Sequence, residues 1–172
     1  GVRLVGSEMC IRDRCPNGDV EDIEWMRASA SIPIASRPVK LGGKRLLDGG
    51  VSDPIPVKWM LSRGYEKNVV VLTRDVKYRK KANPKMQLFL KAVLHKYPAF
   101  LKDLEERHIH YNETLEELAS LEKEGRIHII RPSSPIQAAM IERDESNLER
   151  IYQTGRADMK KDLEKLKAYL DS

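Results

Sequence analysis

The sequence predicts an α/β fold with a helix-rich C-terminal region. Between residues 38 and 73, a short hairpin pattern, a helical pattern and a continuous apolar strand follow one another. A second apolar strand, "RIHIIRPS", begins at Arg126, and helical patterns fill most of residues 84–124 and 143–170. Strands that alternate with helices are typical of α/β sheets.

The first predicted helix and the hairpin have local signals. "GDVEDIEWMRASASIPIAS" begins with an acidic turn, has an apolar stripe at helical spacing and ends at Pro33. The stripe consists of Ile23, Met26 and Ala30. In "RPVKLGGKRLLDGG", two short apolar runs flank a Gly42-Gly43 turn, which predicts a β-hairpin.

A second helix and a buried strand follow. In "DPIPVKWMLSRGY", Asp53 is the predicted N-cap, Pro54 the first helical residue and Gly64 the C-terminal cap. Its apolar stripe is Val57, Met60 and Leu61. "NVVVLT" has no polar alternation, which predicts a strand that is buried on both faces.

The C-terminal half is predominantly helical. We expect a long helical region over residues 84–124 with a break at "RHIHYN", residues 107–112. We expect "RIHIIRPS" to be a strand closed by Pro132 and the last segment to form two helices that are split at Gly155.

The composition indicates an ordinary soluble domain. The 172 residues are 41% hydrophobic and 33% charged, and no apolar run approaches the roughly 18 residues of a membrane helix. The net charge of +5 is a weak indication of anionic partners. Aromatic residues make up 6%, which argues against a platform that stacks single-stranded nucleic acid.

The N-terminal stretch "LVGSEMCIRDRCP" has no regular period and holds both cysteines, Cys10 and Cys15. An acid and two arginines interrupt the apolar run that a secretory signal needs, and the cysteines lack C-x-x-C spacing. Residues 3–14 instead resemble a translated sequencing-library adapter. We therefore expect residues 1–14 to be non-native. With Cys10 discounted, one cysteine remains, which favours a reducing, cytoplasmic compartment.

The sharpest chemical signal is "LLDGGVSDPIP". Asp48 lies at the end of a predicted strand, and Gly49 and Gly50 precede a helix start. Active sites of α/β sheets form at strand ends, and glycines let the backbone approach a partner closely. On the tripeptide alone, a plain Asp-Gly turn is the favoured interpretation, because such turns are common.

The wider context, residues 26–74, resembles the patatin-like phospholipase family. The shared features are a helix ending Arg-Ala-Ser-Ala-Ser-x-Pro, a strand ending Asp-Gly-Gly, a helix opening Asp-x-Ile-Pro, and an apolar strand. "IIRPS" and "LERIYQTGRAD" also look like the bacterial branch of that family. The resemblance implies a partial α/β/α sandwich with a helical C-terminal extension from about residue 84. Residues 15–172 would be the C-terminal part of the patatin-like domain.

The resemblance also implies a reaction. The family hydrolyses acyl esters of lipids through a Ser–Asp dyad without a cofactor, and Asp48 matches the acid of the dyad. A carboxylate within hydrogen-bond reach can take the proton of a serine nucleophile. Gly49 and Gly50 would shape the turn that carries Asp48.

The sequence departs from the family because it contains no G-x-S-x-G motif and no glycine-rich oxyanion loop. The serines nearest to Asp48 in sequence have no flanking elbow glycines, and these are Ser29, Ser31, Ser36 and Ser52. We therefore expect a fragment that supplies the acid but has no esterase activity itself. We also expect marginal folding, with "NVVVLT" partly exposed.

Three histidines are alternatives for a site. His108 and His110 lie near Glu105 and Glu106, where a solvated helix break is favoured over a metal site. His128 in "RIHIIRP" is most simply a packed side chain. No metal is implied.

A basic cluster is the predicted membrane contact, with a solvated loop as the equal alternative. It consists of Arg74, Lys77, Arg79, Lys80, Lys81 and Lys85. Two rivals to the hydrolase are a non-catalytic patatin fold that binds lipid or a partner, and a nucleic-acid-binding helical protein. Interspersed Glu and Lys residues argue against the second rival.

Overall fold

The computed structural model describes residues 19–33, 35–138 and 142–172. Helices alternate with short strands, which confirms the predicted α/β class. The chain divides into two compact units. The first comprises the described residues up to Pro56 together with Lys80–Thr114, and the second comprises Val57–Arg79 and Leu115–Ser172. The adapter-like residues and both cysteines lie outside the described residues.

The first unit begins with helix α1, Val20–Ser29, whose N-cap Asp19 accepts a hydrogen bond from the backbone N–H of Asp22. Strands β1, Val39–Leu41, and β2, Lys44–Leu46, then form an antiparallel hairpin. Gly42 and Gly43 have φ angles of 55° and 71°, which glycine adopts at little cost. The predicted hairpin and its turn are therefore confirmed.

The predicted apolar stripe of α1 is wrong. Ile23 and Met26 are about half exposed, and Ala30 is also exposed. Instead Ala28 is completely buried against Val39 and Leu46, with Trp25 and Leu41 packed around them. Packing against the hairpin therefore determines which face of α1 is buried, and the hydropathy pattern did not indicate this face.

The same unit contains a 3-10 turn, Gly49–Val51, the helix α3, Pro84–Leu94, and the first part of α4, Pro98–Lys123. A small core of Leu47, Val51 and Phe100 holds the turn against α4. The predicted break at residues 107–112 is wrong, because α4 is continuous there. The interruption lies at residues 95–97, immediately before Pro98.

In the second unit, helix α2, Val57–Ser62, ends at Gly64, whose φ of 80° confirms the predicted cap. The predicted N-cap is wrong, since Asp53 lies four residues before α2. Strands β3, Asn68–Val71, and β4, Ile127–Ile130, pair in parallel.

The two strands differ in burial. β4 buries Ile127 and Ile129, whereas Val69 and Val71 of β3 are 42% and 69% exposed. The prediction that this strand is buried on both faces is wrong for this chain. Partial exposure was the other expectation for "NVVVLT", and the exposed valines agree with it.

The last helix, α5, spans Glu145–Asp171 without interruption, so the predicted split at Gly155 is wrong. Tyr169 fixes its C-terminal part to the sheet. Its hydroxyl accepts the N–H of Asn68 at 2.9 Å and donates to the carbonyl of Arg126 at 3.0 Å. In the described part of the chain, no helix is both long enough and apolar enough to cross a membrane.

Candidate active site

Asp48 lies directly after the hairpin, two residues beyond the end of β2. Its backbone N–H donates to the carbonyl of Ser31 at 2.9 Å, so the chain after α1 and the chain after β2 are joined at this point. Its own carboxylate caps the 3-10 turn of Gly49–Val51. The predicted order of strand end, acid and tight turn is present, although the turn is not the start of a long helix.

The two oxygens of the Asp48 carboxylate differ in their hydrogen bonds within the described part of the chain. Oδ1 accepts the backbone N–H of Gly50 at 2.8 Å. Among the described residues, none donates a hydrogen bond to Oδ2, and Asp48 is only half-buried. The carboxylate is therefore held in one orientation while it keeps the capacity to accept one more proton or hydrogen bond.

Gly50 is favoured by the limited space around it rather than by a positive φ. A Cβ atom at this position would lie 3.2 Å from Asp48 Oδ1, which is tighter than ordinary van der Waals contact. It would also lie 3.9 Å from Nη2 of Arg107. The glycine thus leaves room for the Asp48 carboxylate at its N–H, while the Arg107 guanidinium lies near its carbonyl.

Arg107, on α4, is a site residue that the sequence analysis missed. Its Nε–H donates to the carbonyl of Gly50 at 2.8 Å, across 57 residues of sequence. Residues 107–112 had been assigned to a helix break, which gave Arg107 no reason to face a partner. The signal that finds it is the helical spacing from Phe100 and Leu104, which pack against the turn.

Two of the four serines near Asp48 in sequence direct their hydroxyls to backbone carbonyls. Ser31 is 5% exposed, and its hydroxyl donates to the carbonyl of Arg27 at 2.7 Å. The Ser52 hydroxyl contacts the carbonyl of Gly49 at 3.4 Å. Within the described residues, no serine hydroxyl is hydrogen-bonded to Asp48.

An apolar pocket of about 220 Å³ lies beside the turn in the same unit. Leu47, the residue before Asp48, forms part of its wall together with Leu94 and Phe100. Arg37 and Arg45 also line it, and Arg45 donates to the Tyr97 hydroxyl at 2.7 Å. The pocket is therefore lined by both apolar side chains and cationic groups.

The candidate histidines lie on helix α4 and on strand β4. His108 and His110 lie on the continuous helix α4, and His110 is within 3.2 Å of Glu113 and 3.5 Å of Glu106. Across the described ranges, no group of three or more His, Cys, Asp or Glu side chains is arranged to hold a metal. His128 packs against the Tyr169 ring and contacts Asp162 Oδ2 at 2.5 Å.

The predicted basic cluster divides between the two units. Arg74, Lys77 and Arg79 belong to the second unit, and Lys80, Lys81 and Lys85 belong to the first. Lys80 lies over the ring of Tyr111 at 5.2 Å, and its backbone exchanges two hydrogen bonds with the Asn112 amide. The loop of residues 74–85, which carries the basic cluster, therefore contacts α4 through Lys80.

Two family models match separate parts of the chain. Residues 9–61 match the patatin-like phospholipase model, and this match contains Asp48, Gly49 and Gly50. Residues 97–171 match a domain of unknown function (DUF6363), and this match contains Arg107. A comparison with curated proteins finds no match. The patatin-like match covers less than half of the chain, so it shows a similarity of residues 9–61 to a lipid hydrolase family, and it also includes part of the adapter-like stretch.

Proposed function

We propose that this chain supplies the acidic half of the Ser–Asp dyad in a patatin-like lipid acyl hydrolase. The observation that carries this proposal is the Asp48 carboxylate, whose Oδ1 is fixed by Gly50 and whose Oδ2 accepts no hydrogen bond from any residue that the structure describes. The patatin-like match over the same residues supports the assignment.

The proposed reaction is hydrolysis of a carboxylic ester. Oδ2 of Asp48 accepts the serine proton while the serine oxygen attacks the ester carbonyl. The bond between the acyl carbon and the alcohol oxygen then breaks, and the leaving alcohol takes this proton from Asp48. Water then attacks the acyl-serine and gives a proton to Asp48. The bond between the acyl carbon and the serine oxygen breaks, the serine takes that proton back, and the fatty acid is released. The hydrogen bond from Gly50 holds the carboxylate so that its orientation does not change between the two steps.

The nucleophile and the oxyanion donors would come from a segment outside these 172 residues, which contain no G-x-S-x-G motif. The chain by itself would then be inactive, because a base without its nucleophile has little catalytic power. The pocket beside Leu47 is consistent with a substrate that carries an acyl chain. The basic loop of residues 74–85 would lie at an anionic membrane surface.

The first test is genomic. DNA upstream of the Cys15 codon is sequenced, and a reading frame that encodes G-x-S-x-G is the expected result. A continuous patatin fold without this motif would favour the rival, a protein that binds lipid or a partner without catalysis. In-frame coding sequence for residues 3–14 in the genome would contradict the adapter assignment.

The second test is kinetic, with residues 15–172 joined to that upstream segment. Asp48→Asn keeps the shape and removes the proton acceptor, so kcat for a short-chain ester is expected to fall by roughly 100-fold or more. Asp103→Asn, on α4, is the control and is expected to leave kcat unchanged. Near-normal hydrolysis by Asp48→Asn would refute the dyad assignment, as would clear hydrolysis by the 172-residue chain.

A further inference from the structure

One face of α4, with the residue before it, lies along residues 45–51. Tyr97 accepts a hydrogen bond from Arg45, and Phe100 and Leu104 pack on the core around the turn. Arg107 then donates to the Gly50 carbonyl. The spacings of three, four and three residues place these side chains on one side of a helix.

The consequence for Gly50 is that both of its peptide groups are held by charged side chains. Its N–H is bound by the Asp48 carboxylate at 2.8 Å, and its carbonyl is bound by Arg107 at 2.8 Å. The orientation of the Gly50 backbone decides the direction of its N–H, and this N–H fixes the carboxylate. Hydrogen bonds that involve an ionised group are stronger than neutral ones, so Arg107 constrains this geometry effectively.

We propose that Arg107 is a positioning residue for Asp48, and that orientation of the Asp-Gly-Gly turn is a function of the segment matched by the domain of unknown function. This inference rests on the proposed function, since it gives Arg107 a role in aiming the dyad acid. Arg107 touches no reacting atom and acts through the Gly50 peptide. The planar guanidinium suits this role, because its donors keep a fixed relative geometry that a lysine lacks.

The contact itself is tested in the 172-residue chain by amide hydrogen exchange measured with NMR. Arg107→Gln removes the charged donor, and exchange of the Gly50 N–H is expected to accelerate by about tenfold. Lys102→Gln removes one charge from an exposed position of the same helix and is expected to leave this rate unchanged. Unchanged Gly50 exchange in folded Arg107→Gln would overturn the proposal.

The catalytic consequence is tested in the complete enzyme. Because Arg107 positions the base rather than binding substrate, kcat is expected to fall about tenfold in Arg107→Gln with KM unchanged. Arg107→Lys keeps the charge and is expected to lose only about threefold. If circular dichroism shows that Arg107→Gln does not fold, the proposal is tested with Arg107→Lys instead. An unchanged kcat in Arg107→Lys then overturns the proposal.

The two proposals fail differently. Loss of activity in Asp48→Asn together with a normal kcat in folded Arg107→Gln would overturn the positioning role alone. Normal activity in Asp48→Asn would refute the dyad and the positioning role together. A rise in KM at constant kcat in Arg107→Gln would place Arg107 in substrate binding and would also overturn the positioning role.

Discussion

Replacement of Gly50 by alanine tests the geometry of the turn with a single methyl group. The new Cβ would lie 3.2 Å from Asp48 Oδ1, so the carboxylate must move by a few tenths of an ångström. The φ of Gly50 is not positive, and the backbone therefore accepts alanine without strain. The substitution disturbs the carboxylate selectively.

The expected effects on stability and activity are separate. Weakening of the Asp48–Gly50 hydrogen bond costs about 1 kcal/mol, and the reduced freedom of the unfolded chain returns about 0.4–1 kcal/mol. Tm is therefore expected to change by less than about 4 °C. Because a misplacement of about 1 Å can cost about 100-fold in rate, a shift of a few tenths is expected to lower kcat by about tenfold.

The assay is hydrolysis of a short-chain ester by the complete enzyme, with Tm measured on the same samples. Gly155→Ala is the matched control, because its Cβ would meet no atom within 4 Å. It is expected to leave kcat unchanged. A normal kcat in Gly50→Ala would refute the argument that this contact orients the base. A fall in kcat that only follows a large fall in Tm would assign the effect to folding instead.

Three further predictions concern stability and the surface. Leu46→Ala truncates a side chain that is 1% exposed, so the free energy of unfolding in urea is expected to fall by about 2–5 kcal/mol. Leu88→Ala is the control, because Leu88 is 73% exposed and its truncation is expected to change this free energy little. The Ser133 N–H, bound at 2.9 Å, lowers the pKa of Asp158 below its ordinary value of 3.8. This carboxylate therefore stabilises the fold above about pH 4, and the contribution is lost as pH falls through the lowered pKa. Between about pH 5 and pH 3, the free energy of unfolding in urea is expected to fall less for Asp158→Asn than for the parent protein. An equal fall in both proteins would show that the Asp158 carboxylate does not stabilise the fold in this way. Binding of the complete enzyme to anionic vesicles is expected to exceed binding to neutral vesicles and to weaken with salt, while equal binding would leave the loop simply solvated.

The hairpin and the strands could be predicted because their signals are local. Gly42 and Gly43 determine the turn, and β4 ends before Pro132 as expected. The face of α1 could not be predicted, because Ile23 and Met26 are the more apolar choice and yet remain exposed. The hairpin packs against Ala28, and a small side chain allows that close contact.

The helix boundaries show how proline outweighs other signals. A break was predicted at residues 107–112 from polar residues that a helix tolerates well on its exposed face. The actual interruption precedes Pro98, since the residue before a proline avoids the helical conformation. Pro56 similarly delays α2 until Val57, while Gly155 costs only about 1 kcal/mol within a helix of 27 residues.

The candidate site was only half accessible to sequence reasoning, and the reason is the distance along the chain. Asp48 and its glycines form a local motif, and the flanking pattern of residues 26–74 was enough to find them. Arg107 is 57 residues from its acceptor, and no local sequence pattern indicates that these two residues are in contact. Its helix nevertheless has Phe100 and Leu104 on one face, and the next position on that face is an arginine. A positively charged side chain on a packed, apolar helix face needs a hydrogen-bond acceptor on the segment that packs against this face. Here that acceptor is the carbonyl of Gly50, which connects the helix to the orientation of the Asp48 carboxylate.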